Sequence, residues 1–139
     1  MARDKYHEQV RLALEKDGWT ITDDPYQLLM GTRRTYIDLG AERLLIGAEK
    51  GKEKIAVEIK TFIGGSDLQD FDQAVGQFLR YRSALQREEP DRKLYLAMPF
   101  VFYERFFQDL FFLDLLEETD ISTIVYDQTN AIIKKWIKF

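Results

Sequence analysis

At 139 residues, 45% hydrophobic and 14% aromatic, the chain can bury the core of one α/β-sized domain. It has no cysteine, which excludes disulfides and thiolate metal sites and suits a reducing cytosol. A net charge of −4 argues against a broad nucleic-acid surface, leaving a small acidic nuclease only if carboxylates crowd its metal site and basic residues are local.

No apolar run is long enough for a membrane span, and no signal-peptide pattern opens the chain, so a cytoplasmic protein without a membrane partner is expected. Residues 2–16 read as a helix, with Tyr6, Val10, Ala13 and Leu14 as its apolar stripe and Asp17-Gly18 as its stop. His7, the single histidine, sits at the edge of that stripe, where packing and a site role both fit. Glu8 lies on the side away from Tyr6 and Val10 and reads as a solvated carboxylate. Trp19 to Thr22 is then a short strand and Asp23-Asp24-Pro25 a turn.

Thr35 to Leu39 reads as a strand ending at Gly40, and the stretch from Ala41 to Gly51 allows two readings. In the first, Leu44 to Lys50 is a strand joined to the next by a tight turn around Gly51-Lys52, with Leu45 opposite Glu58 and Asp38 seven positions out of register. In the second, Ala41 to Lys50, including Glu49, is a helical or irregular excursion. Tyr36–Glu42 then pairs with Lys54–Lys60, and Asp38 falls opposite Glu58. Directly opposed Cβ atoms lie only ~5 Å apart, close enough for two carboxylates to share one divalent cation.

The strand Lys54 to Phe62 organises the chain. Ile55, Val57 and Ile59 line one face, while Lys54, Ala56, Glu58, Lys60 and Phe62 line the other. A carboxylate and an ammonium thus project together from a strand whose other side is core. One explanation is a phosphodiester-cleaving site, with Glu58 as cation ligand and Lys60 as charge stabiliser. The other is an ordinary ion pair on a solvent-exposed face.

Gly64-Gly65 breaks the chain, and Ser66-Asp67-Leu68-Gln69 is a capping box that should start a helix running to about Arg87. Gln73, Gln77 and Arg80 form a polar stripe on it, either solvated or reaching toward a phosphate or bound water. Arg92 to Met98 is a further core strand, and 102–118 an unusually aromatic helix, deeply buried or presenting a partner-binding face. Two strands, Ile121–Tyr126 and Ala131–Phe139, close the domain, and the lysines of the last suit an edge strand. There are no repeats and no linker, so residues 1–139 read as a single domain.

An acid-x-Lys triplet alone is weak, since Asp91-Arg92-Lys93 also fits it. The setting of Glu58-Ile59-Lys60 raises it: a helix and strands precede, Asp38 lies upstream, and a capped helix comes next. This order resembles the αβββαβ core of the restriction-endonuclease-like PD-(D/E)XK superfamily, an α/β (α+β) fold with a central mixed sheet flanked by helices. More closely, the chain looks like the XisH family, excision-controlling factors of the cyanobacterial fdxN DNA element. That likeness rests on His7 with Val10 and Ala13-Leu14, Asp17 to Thr22, Tyr36 to Glu42, Ile55 to Lys60, Gly76-Gln77-Phe78, and Pro90-Asp91-Arg92 before Leu94-Tyr95-Leu96-Ala97.

The resemblance implies a part in DNA-element rearrangement beside a small XisI-like partner protein, with DNA as substrate or target. It implies that Asp38 and Glu58 hold Mg²⁺ or Mn²⁺, hard cations suited to oxygen ligands, with Glu8 as an extra first-helix acid. Lys60 would orient the attacking water and stabilise transition-state charge, and Gln73 or Gln77 would match the helix glutamine of several relatives. The superfamily's proline before the first acid is replaced here by Ile37. Excision control also fits a non-catalytic accessory module binding through Phe102–Phe112 or the last strand, and cutting both strands of DNA would call for a homodimer or a partner.

Overall fold

The computed structural model describes residues 2–44 and 51–139, with side chains from residue 5. Helix α1 (Ala2–Lys16) leads into β1 (Thr20–Asp23). A hairpin comes next, β2 (Tyr26–Met30) and β3 (Arg33–Ile37), and then β4 (Leu39–Leu44) and β5 (Lys52–Ile59). Helix α2 (Asp67–Glu88), β6 (Arg92–Pro99), α3 (Phe100–Phe106), α4 (Leu110–Glu118), β7 (Thr123–Asp127) and β8 (Ile132–Ile137) complete the chain.

The larger sheet has six strands in the order β1-β4-β5-β6-β7-β8, with β2-β3 as a separate two-stranded ribbon. Strand β5 runs antiparallel to β4 and parallel to β6, so it lies inside a mixed sheet. Its pleat separates two cores. Ile55 and Val57 pack with Val10, Leu14 and Trp19 on the α1 side. Ala56 packs with Phe71, Phe78 and Leu85 of α2 on the other, where Phe62 also lands. Each of the large buried side chains among them contributes ~2–3 kcal/mol of apolar burial. The face that carries Glu58 and Lys60 is therefore covered by a helix, which overturns the solvent-exposed alternative for this strand.

The β4–β5 register runs from Leu39 opposite Val57 to Leu44 opposite Lys52. That is the register of the second sequence reading, and it rules out the first, which set Leu45 against Glu58. The second reading needs its own correction, because Ala41 to Leu44 stay in the strand instead of leaving the sheet. The remainder of both readings, including Glu49, falls on 45–50, outside the described residues.

Two further expectations are corrected, and one element is new. The strand expected over Thr35–Leu39 is broken at Asp38, where the chain leaves the β2–β3 ribbon and enters the main sheet. The break is held by Asp38 itself, whose carboxylate accepts from the Ile59 amide across the strands. Strand β2 lies in a stretch to which the sequence reading assigns no element; its alternation of buried Tyr26 and Leu28 with exposed Gln27 and Leu29 is a strand pattern hidden by a run of similar apolar residues. The aromatic helix is two helices, because Asp109 accepts from the Phe111 amide and starts a new one. Strand β8 lies at the sheet edge, as its lysines suggest.

Candidate functional site

Asp38 sits where β3 gives way to β4, and one further step along the β4–β5 register brings it level with Glu58 near the end of β5. The two acids interlock. The amide of Asp38 donates to Oε1 of Glu58 at 3.3 Å, and the amide of Ile59 donates to Oδ2 of Asp38 at 2.8 Å. Both carboxylates are half-buried.

Lys60 comes just beyond β5, where its amide donates to the Ala97 carbonyl at 3.0 Å and extends the sheet by one bond. Its Nζ donates to Oε1 of Gln73 on α2 at 3.2 Å. Gln77, one turn further along α2, donates to the Tyr81 hydroxyl at 3.0 Å. Asp38, Glu58, Lys60 and Gln77 line one cavity of about 370 Å³, together with His7 and Tyr36. Four of the residues singled out in the sequence thus converge, and Gln73 touches the cavity through Lys60.

Glu8 stands apart from that lining. It is exposed, and its carboxylate groups with His7 and Asp24, ligand atoms of the three lying within 4.8 Å of one another. Asp24 in this group also binds Nη1 of Arg11, a cation that offsets its charge. His7 bridges the two clusters: its Nε2 is 2.6 Å from Oδ1 of Asp24, while its ring borders the Asp38–Glu58 cavity.

Two residues near the site carry no signal in the sequence. Tyr36 is half exposed on the cavity rim; it alternates against buried Ile37, a pattern visible only once the ribbon is known. Tyr126 is fully buried, with its hydroxyl lacking a hydrogen-bond partner among the described residues. Burial first, then the charges of Tyr6 and Asp38, push its pKa far up, so it stays a neutral phenol beside the first acid.

A larger concavity, about 720 Å³, lies between β1, β4 and β5. Its charged walls neutralise one another through Arg43 with Glu53 and Lys52 with Glu42, and it contains none of the residues singled out above. The smaller cavity is the one that gathers the residues singled out in the sequence.

The oxygen-rich pair Asp38 and Glu58 suits a hard divalent cation, and the absence of thiolates and of imidazole from the pair argues against softer metals. The profile of the XisH protein family matches residues 1–134. The chain belongs to the XisH family. The crystal structure of a fdxN element excision controlling factor protein from Anabaena variabilis is similar to it at 42% identity and a TM-score of 0.86, over 98% of this chain and 100% of that one. A second XisH family crystal structure, from Nostoc punctiforme PCC 73102, is 41% identical with a TM-score of 0.85, over 97% and 100%. A comparison with curated proteins finds no match. Among the described residues of this XisH-family chain, no helix is long and apolar enough to cross a membrane.

Proposed function

We propose that this XisH-family protein acts in DNA-element excision as a divalent-metal-dependent endonuclease or nickase of the PD-(D/E)XK type. The observation that carries the reading is the interlocked pair Asp38 and Glu58 beside Lys60 in one cavity. Asp38 and Glu58 would hold Mg²⁺ or Mn²⁺, which when bound supplies charge to a phosphodiester oxygen and acidifies a water. Lys60 would place positive charge where the pentavalent phosphorus gathers negative charge, steered there by Gln73. Gln77 lies on the cavity wall, able to orient a water or a phosphate oxygen. An XisI-like partner, or a second copy, would be needed for cleavage of both strands.

The second reading is an accessory module that regulates recombination without cutting. What favours it is the aromatic segment: Val101, Leu110 and Phe111 are 52%, 65% and 64% exposed, a face suited to a protein partner. Phe102, which the sequence suggested for the same face, is buried in the core instead.

Plasmid nicking with Mn²⁺ separates the two readings. Nicking by the wild type that is lost in both Glu58→Ala and Lys60→Ala supports the nuclease. Nicking that survives both substitutions places the chemistry elsewhere, and no nicking under any condition supports the accessory role.

A further inference from the structure

We propose that the β2–β3 ribbon, with the adjoining turn of α2, is the docking surface for duplex DNA. The proposal rests on the nuclease reading for its geometry but not for its test. Three observations carry it.

The first is charge. Tyr26–Ile37 contains Arg33 and Arg34 and no acid, in a protein that is acidic overall. Both arginines are exposed, and neither makes an ion pair among the described residues. Four other arginines are committed to acids: Arg11 to Asp24, Arg43 to Glu53, Arg92 to Glu89 and Arg105 to Asp67. Local positive charge within a net-negative molecule is what a confined phosphate contact needs.

The second is shape. Buried Tyr26, Leu28 and Ile37 anchor the ribbon on the core. The ladder pairs Gln27 with Tyr36 and Leu29 with Arg34, and all four side chains are exposed, so they form one outward face. A two-stranded ribbon is a shape that DNA grooves admit. An arginine and a tyrosine on one face offer a phosphate contact and an aromatic surface for sugar or base.

The third is continuity with the cavity. Tyr36 lines it, two positions before Asp38. On α2, Gln73 meets Lys60, Gln77 lines the cavity, and Nη1 of Arg80 lies 3.9 Å from Sδ of Met30, which pairs with Arg33 in the ribbon. A polar and basic track thus runs from Lys60 to the arginine pair. At ~3.3 Å per strand residue, Arg34 stands ~13 Å from Asp38. With ~3.4 Å of axis per nucleotide, that is about four base pairs from a phosphate held at the acids.

The test is binding, measured by fluorescence anisotropy on a short duplex in EDTA, so that no cleavage is required. Wild type is compared with Arg33→Ala/Arg34→Ala, Arg80→Ala, Tyr36→Ala and, as a charge-matched control near the far end of α2, Arg87→Ala, with circular dichroism melts verifying folding. The double variant is expected to bind at least about tenfold more weakly at ~50 mM salt, and its plot of log affinity against log salt should flatten by about 2. Arg80→Ala should flatten it by about 1, Tyr36→Ala should weaken binding with the slope kept, and Arg87→Ala should keep the wild-type slope. Folded ribbon variants that bind like wild type overturn the proposal, as does a wild type that fails to bind duplex at low salt. If nicking is absent but the ribbon variants lose binding, the cleavage reading falls and the docking surface stands. Nicking that persists unchanged in those variants sinks the docking surface alone.

Discussion

Asp38 and Glu58 each hold the backbone beside the other: the Asp38 amide donates to Glu58, and the Ile59 amide donates to Asp38. The acids are thereby fixed as a structural clasp between β4 and β5 as well as a candidate cation site, and substitutions can separate the two roles. Asp38→Asn keeps an acceptor for the Ile59 amide but lowers the charge. Asp38→Ala removes the acceptor and should cost about 1–3 kcal/mol. In EDTA, Asp38→Asn is expected to melt close to the wild type and Asp38→Ala several degrees lower. On adding Mn²⁺, wild type should gain melting temperature by mass action while both variants gain little. A wild type whose melting is indifferent to Mn²⁺ and Mg²⁺ at millimolar levels would remove the cation from this site.

Acid should act at the opposite end of the same sheet. Arg92 is buried and donates to the Ile55 carbonyl at 2.9 Å, while its Nε binds Glu89 at 2.6 Å. That guanidinium, aided by the Tyr26 hydroxyl and against the opposing effect of burial, holds the Glu89 carboxyl down at about 2 from a usual 4.5. A depressed carboxyl stabilises the fold fully above its unfolded value and loses that contribution as pH falls toward its folded value. The contribution is on the order of 2–3 kcal/mol. Denaturation midpoints should therefore drop between about pH 4.5 and about 2, and Glu89→Gln, less stable at neutral pH, should show a shallower drop across that window. Equal slopes for the two proteins would mean that other carboxylates govern the acid transition.

Glu58, Lys60 and the Ser66 cap are legible in the sequence because each is a local signal: two-residue alternation on β5, and a serine that accepts from Gln69 at 3.3 Å. The register of Asp38 is legible only as one of two choices, since it depends on how the chain returns from β4, a non-local matter. Strand β2 escapes notice because Leu28-Leu29-Met30 shows no contrast between its faces until burial divides them. The role of Asp24, seventeen positions from His7, cannot be read at all, because only the fold brings those two side chains to 2.6 Å. The end of the aromatic helix is hidden for a smaller reason: Asp109 is a cap signal outweighed by the phenylalanines around it.

Two glycines should respond to alanine in opposite directions. A Cβ on Gly40 would stand 2.8 Å from Oδ2 of Asp23 and 3.1 Å from Cδ2 of Tyr26, where β1 bulges against β4. Gly40→Ala is thus expected to cost about 1–3 kcal/mol and to disturb the entry to the ribbon. Gly76 lies mid-way along α2 with open space around its Cβ position. Gly76→Ala should stabilise by about 0.5–1 kcal/mol through helix propensity. Chemical denaturation of both variants checks the pair, and a destabilised Gly76→Ala would show that this turn of α2 needs the space.

Lys60 and Gln73 give the sharpest kinetic prediction if the protein cuts DNA. The amide oxygen of Gln73 is the acceptor that holds Nζ of Lys60 at 3.2 Å, so it orients the ammonium without itself needing to touch a phosphate. Lys60→Ala removes a positioned charge and should lower the nicking rate by about 10²–10³. Gln73→Ala should lower it by about tenfold or less, and Gln73→Glu, which keeps an acceptor, should recover most of that loss. Single-turnover nicking reads both effects. If Gln73→Glu behaves like Gln73→Ala in rate, the glutamine fills space on α2 and Lys60 is positioned by something else.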